Sequence, residues 1–251
     1  KKAENIRTVI AKGLSEILEM EYDDIYALTQ KNTYYVIVKK KVEQNTVDEI
    51  RQFILDNDEL EIANYIGIDE STKRYYPNDT LASTVLGFVG DDNQGLAGLE
   101  SYYDNELTGI AGRVVSAKNA KGTDMRFTYE NVVEAQQGNS LVLTLDSYVQ
   151  YVCEKYLDIA VEQEQIKERG AVVAMNVNTG AILGMAVSGD FNPNSPFTLS
   201  AEDQATVDAI TDEEEKSAKR SELLNRQWRN KAVSDTYEPG SVFKIFTAAV
   251  A

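Results

Sequence analysis

The sequence predicts an α+β fold in which helices flank a small antiparallel sheet. Three patterns support this prediction. Apolar residues recur at helical spacing over residues 5–19, and a second helical pattern follows Asp146. Between later polar stretches, residues 170–187 form two apolar runs around the turn Asn178-Thr179-Gly180, which is typical of a β-hairpin. Because both faces of this hairpin are apolar, we expect it to lie between helices.

Composition narrows the class of protein. The 251 residues suffice for one large or two modest domains, and 43% hydrophobic with 26% charged residues is ordinary for a folded protein. A net charge of -16 argues against nucleic acid or an anionic membrane surface as a partner. With no histidine and a single cysteine, Cys153, the sequence predicts no disulfide framework, no zinc site and no cofactor.

The first 60 residues contain two predicted helices and one predicted strand. The first helix covers residues 5–19, and the β-branched and aromatic residues 34–38 predict a strand. We interpret Lys39-Lys40-Lys41 as the solvated end of that strand rather than a binding patch. Thr46 is the expected cap of the second helix. The residues expected on the inner face of that helix are Val47, Ile50, Phe53 and Ile54.

A glycine-rich stretch follows, and it contains three ordered motifs. They are Arg74-Tyr75-Tyr76-Pro77, Leu86-Gly87-Phe88-Val89-Gly90 and Gly95-Leu96-Ala97-Gly98-Leu99-Glu100. Glycine at this density indicates turns or close approach of chain segments, and neither phosphate-loop pattern is present. The order R-x-Y-P, L-G-F-V-G, G-L-x-G-L-E resembles the pedestal, or dimerisation, domain of class B penicillin-binding proteins. Since that domain is non-catalytic in the family, the resemblance implies structural roles for Arg74 and Glu100.

Two further strands are predicted at residues 113–116 and 141–144. The turn-like residues 136–139 lie between them, and we place a domain junction there, with a pedestal domain at 1–137 and the N-terminal part of a transpeptidase domain at 138–251. Asp146 is the expected N-cap of the following helix, which should continue to about Glu168. Cys153 on this helix is interpreted as a packed thiol.

The stretch after the hairpin has two polar segments. Residues 190–194 resemble a calcium loop at first sight, but Ser195 replaces the required glycine, so we reject a calcium site. The F-x-P-N pattern there instead resembles the segment after the hairpin in penicillin-binding proteins. Residues 200–222 are polar and acidic, and we expect a mobile, solvated loop or a fraying helix.

The last stretch contains the candidate catalytic pair, Ser241 and Lys244. Residues three apart on a helix share a face, so the lysine amine could take the proton that the serine loses on attacking a carbonyl. The tetrad S-x-x-K alone is weak, because most such tetrads are a helix cap followed by a solvated lysine. We expect burial among neighbouring apolar side chains to lower the pKa of Lys244. Those neighbours are Val242, Phe243, Ile245 and Phe246.

The longer string from Asn230 to Lys244 resembles the active-site serine motif of class B penicillin-binding proteins, the monofunctional D,D-transpeptidases that cross-link peptidoglycan. The pattern is most similar to sporulation or elongation transpeptidases of Gram-positive bacteria. The resemblance implies Ser241 as nucleophile, Lys244 as base, peptidoglycan stem peptides as substrates and β-lactam antibiotics as acylating ligands. It also implies an N-terminal membrane anchor outside this sequence, an extracytoplasmic location, and cell-wall synthesis membrane proteins as partners, a glycosyltransferase among them.

The resemblance is incomplete at the active site. A penicillin-binding active site also needs an S-x-N motif and a K-[ST]-G strand, and neither occurs in these 251 residues. We therefore expect an internal, inactive piece of a longer transpeptidase. Two alternatives remain open, a non-catalytic scaffold that docks cell-wall synthesis partners and a β-lactam sensor that is acylated without turnover.

Overall fold

The computed structural model describes residues 2–115, 131–166 and 169–251. The chain forms two compact units, Lys1–Lys73 and Arg74–Ala251. The first unit is helical, whereas the second combines helices with two antiparallel two-stranded sheets. This mixture of helices and antiparallel sheet confirms the predicted α+β class.

The N-terminal unit is built on three helices, which are α1 (Lys2–Leu18), α2 (Tyr22–Thr29) and α3 (Gln44–Asp56). Two 3₁₀ turns follow at Asp58–Leu60 and Ile62–Asn64. The predicted helix at 5–19 is confirmed, because its apolar positions form the core of this unit as the spacing requires. The buried residues of this core are Ile6, Ile10, Ala11, Leu14, Leu18, Ile25, Ile50 and Ile62.

Two details of this unit differ from the predictions. Residues 34–38 are irregular rather than a strand, and both Tyr34 and Tyr35 are exposed. A strand needs a hydrogen-bonding neighbour, and residue propensity alone does not supply one. Helix α3 begins at Gln44, so Thr46 lies in its first turn and is not its cap. Lys39 donates a hydrogen bond to the Leu18 carbonyl (2.7 Å) at the C-terminal end of α1, where a cation is favoured.

The second unit begins with the short helices α4 (Ser83–Leu86), α5 (Gly98–Tyr102) and α6 (Asp104–Leu107). The glycines of this stretch permit close approach of two chain segments. Gly87 has φ +78°, and a Cβ atom there would lie 1.8 Å from the Ala97 carbonyl oxygen. Only glycine fits such a position without a clash. Close approach of this kind confirms the predicted cause of the glycine density.

Arg74 and Glu100 form an ion pair in this stretch. The guanidinium of Arg74 lies 2.7 Å from the Glu100 carboxylate, and the Tyr76 hydroxyl donates to the same oxygen (3.2 Å). Glu100 is buried, so these two partners satisfy a carboxylate that would otherwise be costly to remove from water. The geometry supports the structural roles that the resemblance implied for both residues.

Strand β1 (Arg113–Val115) pairs antiparallel with β2 (Asn131–Val133). The predicted strand at 113–116 is thus confirmed over its first three residues, and Ser116 lies outside the described residues. The predicted strand at 141–144 was wrong, because these residues are irregular. The Thr144 hydroxyl instead donates to the Ile182 carbonyl (2.7 Å), so a side-chain contact replaces strand pairing there.

The centre of the second unit is helix α7 (Ser147–Gln163) packed on the hairpin of β3 (Ala171–Met175) and β4 (Ile182–Val187). Both the hairpin and the Asp146 cap are confirmed, since the Asp146 carboxylate accepts from the Tyr148 and Val149 amides. Helix α7 ends at Gln163, before the predicted end at Glu168, which lies outside the described residues. Burial differs between the strands, because β4 is covered whereas alternate residues of β3 are exposed.

A buried glutamine joins α7 to β4. The Gln150 side chain is 1% exposed, donates to the Met185 carbonyl (2.8 Å) and accepts from the Met185 amide (2.7 Å). This pair of bonds satisfies backbone groups that lie away from water. Cys153 on the same helix lies against Gly184, where an added Cβ would be 3.3 Å from its sulfur, as expected of a packed thiol.

The F-x-P-N segment contacts the first part of the second unit. The Asn194 side chain exchanges hydrogen bonds with the backbone amide (3.0 Å) and carbonyl (2.9 Å) of Tyr76. Phe191 is buried, and its ring packs edge-on against Phe88, which also contacts Phe197 and Trp228. An aromatic cluster, defined as these four residues, thus joins three separate stretches of the chain.

Residues 200–222 were predicted to be a solvated loop or a fraying helix, and most of them are helical. They form α8 (Ala201–Asp208) and most of α9 (Glu213–Trp228), whose caps are Ser200 and Asp212. Val207 and Leu223 are buried between the two helices, so packing stabilises this polar stretch. The chain then continues through α10 (Lys231–Ser234), a 3₁₀ turn (Gly240–Phe243) and α11 (Lys244–Val250).

Glu154 of α7 makes the stability of this fold depend on pH. Its carboxylate accepts hydrogen bonds from the Ala82 amide (2.7 Å) and from Gln150 (2.8 Å). Burial raises the pKa of Glu154, and the charges of Asp190 and Asp158 raise it further. The folded protein therefore holds this proton more tightly than the unfolded chain, and its contribution to stability is lost as pH rises through the raised pKa.

We expect Glu154→Gln to increase the melting temperature relative to the unaltered protein progressively from about pH 4 to pH 7, because glutamine keeps an acceptor oxygen without the buried charge. Thermal unfolding followed by circular dichroism measures this difference. Glu162→Gln, at an exposed position of the same helix, removes the same charge and should give a difference that changes less with pH. Equal pH dependence of the two variants would contradict the prediction.

Candidate active site

Ser241 and Lys244 lie at the start of the final helix, as predicted. Ser241 belongs to the 3₁₀ turn Gly240–Phe243, and Lys244 is the first residue of α11. The Lys244 amide donates to the Ser241 carbonyl, which fixes the two residues in consecutive turns. Gly240 before them has φ +55°, a left-handed conformation that glycine adopts without strain. The three-residue spacing thus places Ser241 and Lys244 on the same side of this helix start.

The surroundings of this pair differ from the prediction. Ser241 and Lys244 are both exposed, and so are the apolar side chains expected to bury the lysine. The rings of Phe243 and Phe246 lie 5.3 Å apart, yet these residues are 55% and 63% exposed. In the described residues no side-chain hydrogen bond joins the serine to the lysine. The expected burial of Lys244 was therefore wrong, because the apolar neighbours are themselves exposed and do not cover the lysine.

The short helix α10 lies against the end of the hairpin. Asn230 caps it by accepting from the Ala232 amide (3.1 Å), and Lys231 donates to the carbonyl of Ser188, directly after β4. Burial lowers the pKa of Lys231, and the charge of Arg226 lowers it further. These contacts fix the chain ten residues before Ser241 on a rigid element, which is the usual requirement for a precise site.

Two arginines hold the residues between α10 and the serine turn. Arg229 lies 2.6 Å from the Asp235 carboxylate and donates to the Ser234 carbonyl (2.8 Å). Arg169, just before β3, donates to the Thr236 carbonyl (2.8 Å) and lies 3.9 Å from the other Asp235 oxygen. Sequence reasoning did not identify this group. We call Arg169, Arg229 and Asp235 the arginine clamp.

The two family models that match this chain divide it at the stretch before the hairpin. Residues 1–143 match the penicillin-binding protein dimerisation domain, and residues 170–251 match the penicillin binding protein transpeptidase domain. The chain belongs to the family of penicillin-binding proteins with this dimerisation domain. The predicted boundary between residues 137 and 138 stays a prediction, and the second compact unit contains residues from both sides of it.

Individual proteins similar to this chain support the same family assignment. Stage V sporulation protein D of Bacillus subtilis is 34% identical over 244 residues, which are 96% of this chain and 33% of the relative. Peptidoglycan D,D-transpeptidase FtsI of Escherichia coli K12 is 27% identical over 93% of this chain and 34% of its own length. A solved peptidoglycan synthetase of Bifidobacterium adolescentis superposes with a TM-score of 0.54 at 25% identity, over 97% of this chain and 38% of that one.

The chain spans about a third of the length of the curated relatives it matches. None of the helices within the described residues is both long and apolar enough to cross a membrane. Its matched part of the transpeptidase domain contains the serine motif, whereas the S-x-N and K-[ST]-G patterns do not occur in its sequence.

Proposed function

We propose that this chain is part of a peptidoglycan D,D-transpeptidase that cross-links stem peptides through an acyl-enzyme on Ser241. One observation carries the proposal. Ser241 and Lys244 lie in consecutive turns at a helix start, within the stretch that matches the transpeptidase domain. A nucleophile needs a base within reach, and helical spacing of three residues supplies one.

The proposed chemistry has two halves. Lys244, in its neutral form, takes the hydroxyl proton while the Ser241 oxygen attacks the carbonyl of the penultimate D-Ala. The tetrahedral intermediate collapses, and the terminal D-Ala leaves after its amine receives that proton. The amine of a second stem peptide then attacks the ester and gives its proton to the neutral Lys244. Lys244 passes that proton to the Ser241 oxygen as the ester bond breaks and the new amide forms. A β-lactam acylates the same oxygen by opening its ring amide.

The location and partners follow from the substrate. Peptidoglycan stem peptides are cross-linked outside the cytoplasm, so we infer that the protein works at the extracytoplasmic face of the cell membrane. An N-terminal anchor outside this chain would hold it there. We also infer an association with cell-wall synthesis membrane proteins, including a glycosyltransferase that supplies the glycan strands. The resemblance of residues 74–100 to a pedestal domain supports a docking role for the N-terminal part.

The direct test is an intact-mass measurement on the full-length protein that contains this chain, before and after incubation with a penicillin. We expect the unaltered protein to gain the mass of one β-lactam, because an acyl-serine forms faster than it hydrolyses. Ser241→Ala should gain none, whereas Ser234→Ala, which removes a serine seven positions earlier, should still gain one.

Other results would support the alternatives. No adduct on the unaltered protein, or an adduct that persists in Ser241→Ala, would contradict the proposal. An adduct without cross-linking of D-Ala-D-Ala peptides would indicate a β-lactam sensor. Partner binding that survives Ser241→Ala, in a protein that never forms an adduct, would indicate a scaffold.

A further inference from the structure

We propose that Asp235 is a positioning residue for the acylation of Ser241. The inference rests on the proposed function and adds to it a group that does not touch the substrate. Asp235 is the carboxylate of the arginine clamp, and it lies six residues before the nucleophile. Its role would be to fix the path of the chain that leads to the serine turn.

The contacts of the clamp bracket Asp235 on both sides. Arg229 donates to the carbonyl of the residue before it, and Arg169 donates to the carbonyl of the residue after it, both at 2.8 Å. Asp235 itself pairs with Arg229 at 2.6 Å and lies 3.9 Å from Arg169. The Asp235 carboxylate thus compensates the positive charge of two guanidinium groups. Arg169 precedes the hairpin in the sequence, and Arg229 follows it. Charge-assisted hydrogen bonds of this kind are the stronger ones in proteins.

The carboxylate is also partly shielded from water. Its side chain is 21% exposed, so its interactions are screened less than those of a fully exposed pair. A third cation, Lys231, adds to the positive charge around it. If the carboxylate were neutral, the two arginines and this lysine would repel one another without compensation. We expect the arginines then to separate and to release the carbonyls of Ser234 and Thr236.

Within the described residues, the clamp contains the last side-chain hydrogen bonds between separate stretches of the chain before Ser241. After Thr236, the described residues 237–251 make no side-chain hydrogen bond to another element. Gly240 lies in open space, where an added Cβ would contact nothing within 4 Å. Among the described residues, the clamp is therefore the side-chain attachment nearest to Ser241 that connects the serine turn to the stretch beside the hairpin. Acyl transfer is sensitive to the placement of the nucleophile, since a shift of about 1 Å can cost about 100-fold in rate.

The experiment measures acylation of the full-length protein by a fluorescent penicillin with stopped-flow mixing. It separates three quantities, namely the dissociation constant of the first complex, the acylation rate constant at saturation, and the fraction of protein labelled. We expect Asp235→Asn to lower the rate constant by about 10-fold to 100-fold, with full labelling and little change in the dissociation constant. Asp235→Glu, which keeps the charge, should recover part of the loss.

The chain offers a matched control in the pair of Arg226 and Asp203. The Arg226 guanidinium lies 2.7 Å from the Asp203 carboxylate. The Asp203 side chain is 23% exposed, close to the 21% of the Asp235 side chain. Asp203→Asn removes an ion pair of similar length and carboxylate burial away from the serine turn. The acylation rate constant of this variant should stay within about twofold of that of the unaltered protein. Arg229→Gln should match Asp235→Asn, and the double variant should be no slower than the slower single variant.

The outcomes separate this inference from the proposed function. Equal rate constants for Asp235→Asn and Asp203→Asn would overturn the positioning role while leaving the acyl-enzyme in place. A smaller labelled fraction with an unchanged rate constant would also overturn it, because loss of folded protein lowers the amplitude only. If the unaltered protein is never labelled, the proposed function fails and the inference fails with it.

Discussion

Replacing Lys244 by arginine is expected to lower the rate constant for acylation of Ser241 by about 100-fold to 10,000-fold in the full-length protein. Arginine keeps the positive charge and the length of the side chain, but it does not give up its proton at any pH that proteins tolerate. A neutral amine that accepts the serine proton would thus be lost while the local charge is kept. Stopped-flow labelling with a fluorescent penicillin measures the rate constant.

A second lysine provides the control for this substitution. Lys219 on α9 is paired with Glu222 at 2.9 Å, and Lys219→Arg makes the same chemical change on a surface helix. Its acylation rate constant should equal that of the unaltered protein. If Lys244→Arg is acylated within about threefold of the unaltered protein, Lys244 acts through its charge rather than as a base, and the proposed proton transfer is wrong.

Elements with a strong internal period were predictable from the sequence. The helix at 5–19 was found close to its predicted limits, because its apolar residues repeat on one face. The hairpin at 170–187 was found close to its predicted limits, because two apolar runs flank a local turn. The Asp146 cap was predictable for a similar reason, since its hydrogen bonds reach only two and three residues along the chain. The helix, the hairpin and the cap depend on contacts between residues that are close in sequence, so the sequence alone predicts them.

The wrong predictions share a dependence on partners distant in sequence. The β-branched run at 34–38 has strand propensity, yet it forms no strand, since pairing requires a second strand that propensity does not specify. For residues 200–222, the charge suggested a solvated loop or a fraying helix. The loop was wrong, and the helices do not fray as expected, because Ser200 and Asp212 cap them and Leu223 is buried between them. Ser200 and Asp212 are typical helix caps, but the prediction gave more weight to the acidic composition of the stretch than to these two residues.

The candidate site was predictable in its residues but not in its surroundings. Helical spacing placed Ser241 and Lys244 together, and the structure has them in consecutive turns. Their exposure depends on which elements cover the helix, and nothing in the tetrad encodes that. The clamp was missed for the same reason, because Arg169 lies 66 positions before Asp235 in the chain. Contacts over such separations leave no periodic signal.

The aromatic cluster explains how the dimerisation and transpeptidase matches are joined in one compact unit. Phe88 lies in the first matched stretch, whereas Phe191, Phe197 and Trp228 lie in the second. The Phe88 ring centroid lies 4.8 Å from that of Trp228 and less than 6 Å from the other two. Contacts of this kind contribute beyond the buried area alone. Phe88 is 0% exposed, so removing its ring takes away apolar burial and leaves a cavity among the neighbouring rings.

We therefore expect Phe88→Ala to lower the free energy of unfolding of the second unit by about 3–5 kcal/mol, through lost burial and the cavity left among three rings. At about 2–4 °C per kcal/mol for a unit of this size, the melting temperature should fall by roughly 6–20 °C. Thermal unfolding of this 251-residue chain measures the change. Phe243→Ala is the matched control, because that ring is 55% exposed and should cost less than about 1 kcal/mol. Similar losses for the two variants would show that the cluster does not hold the matched stretches together.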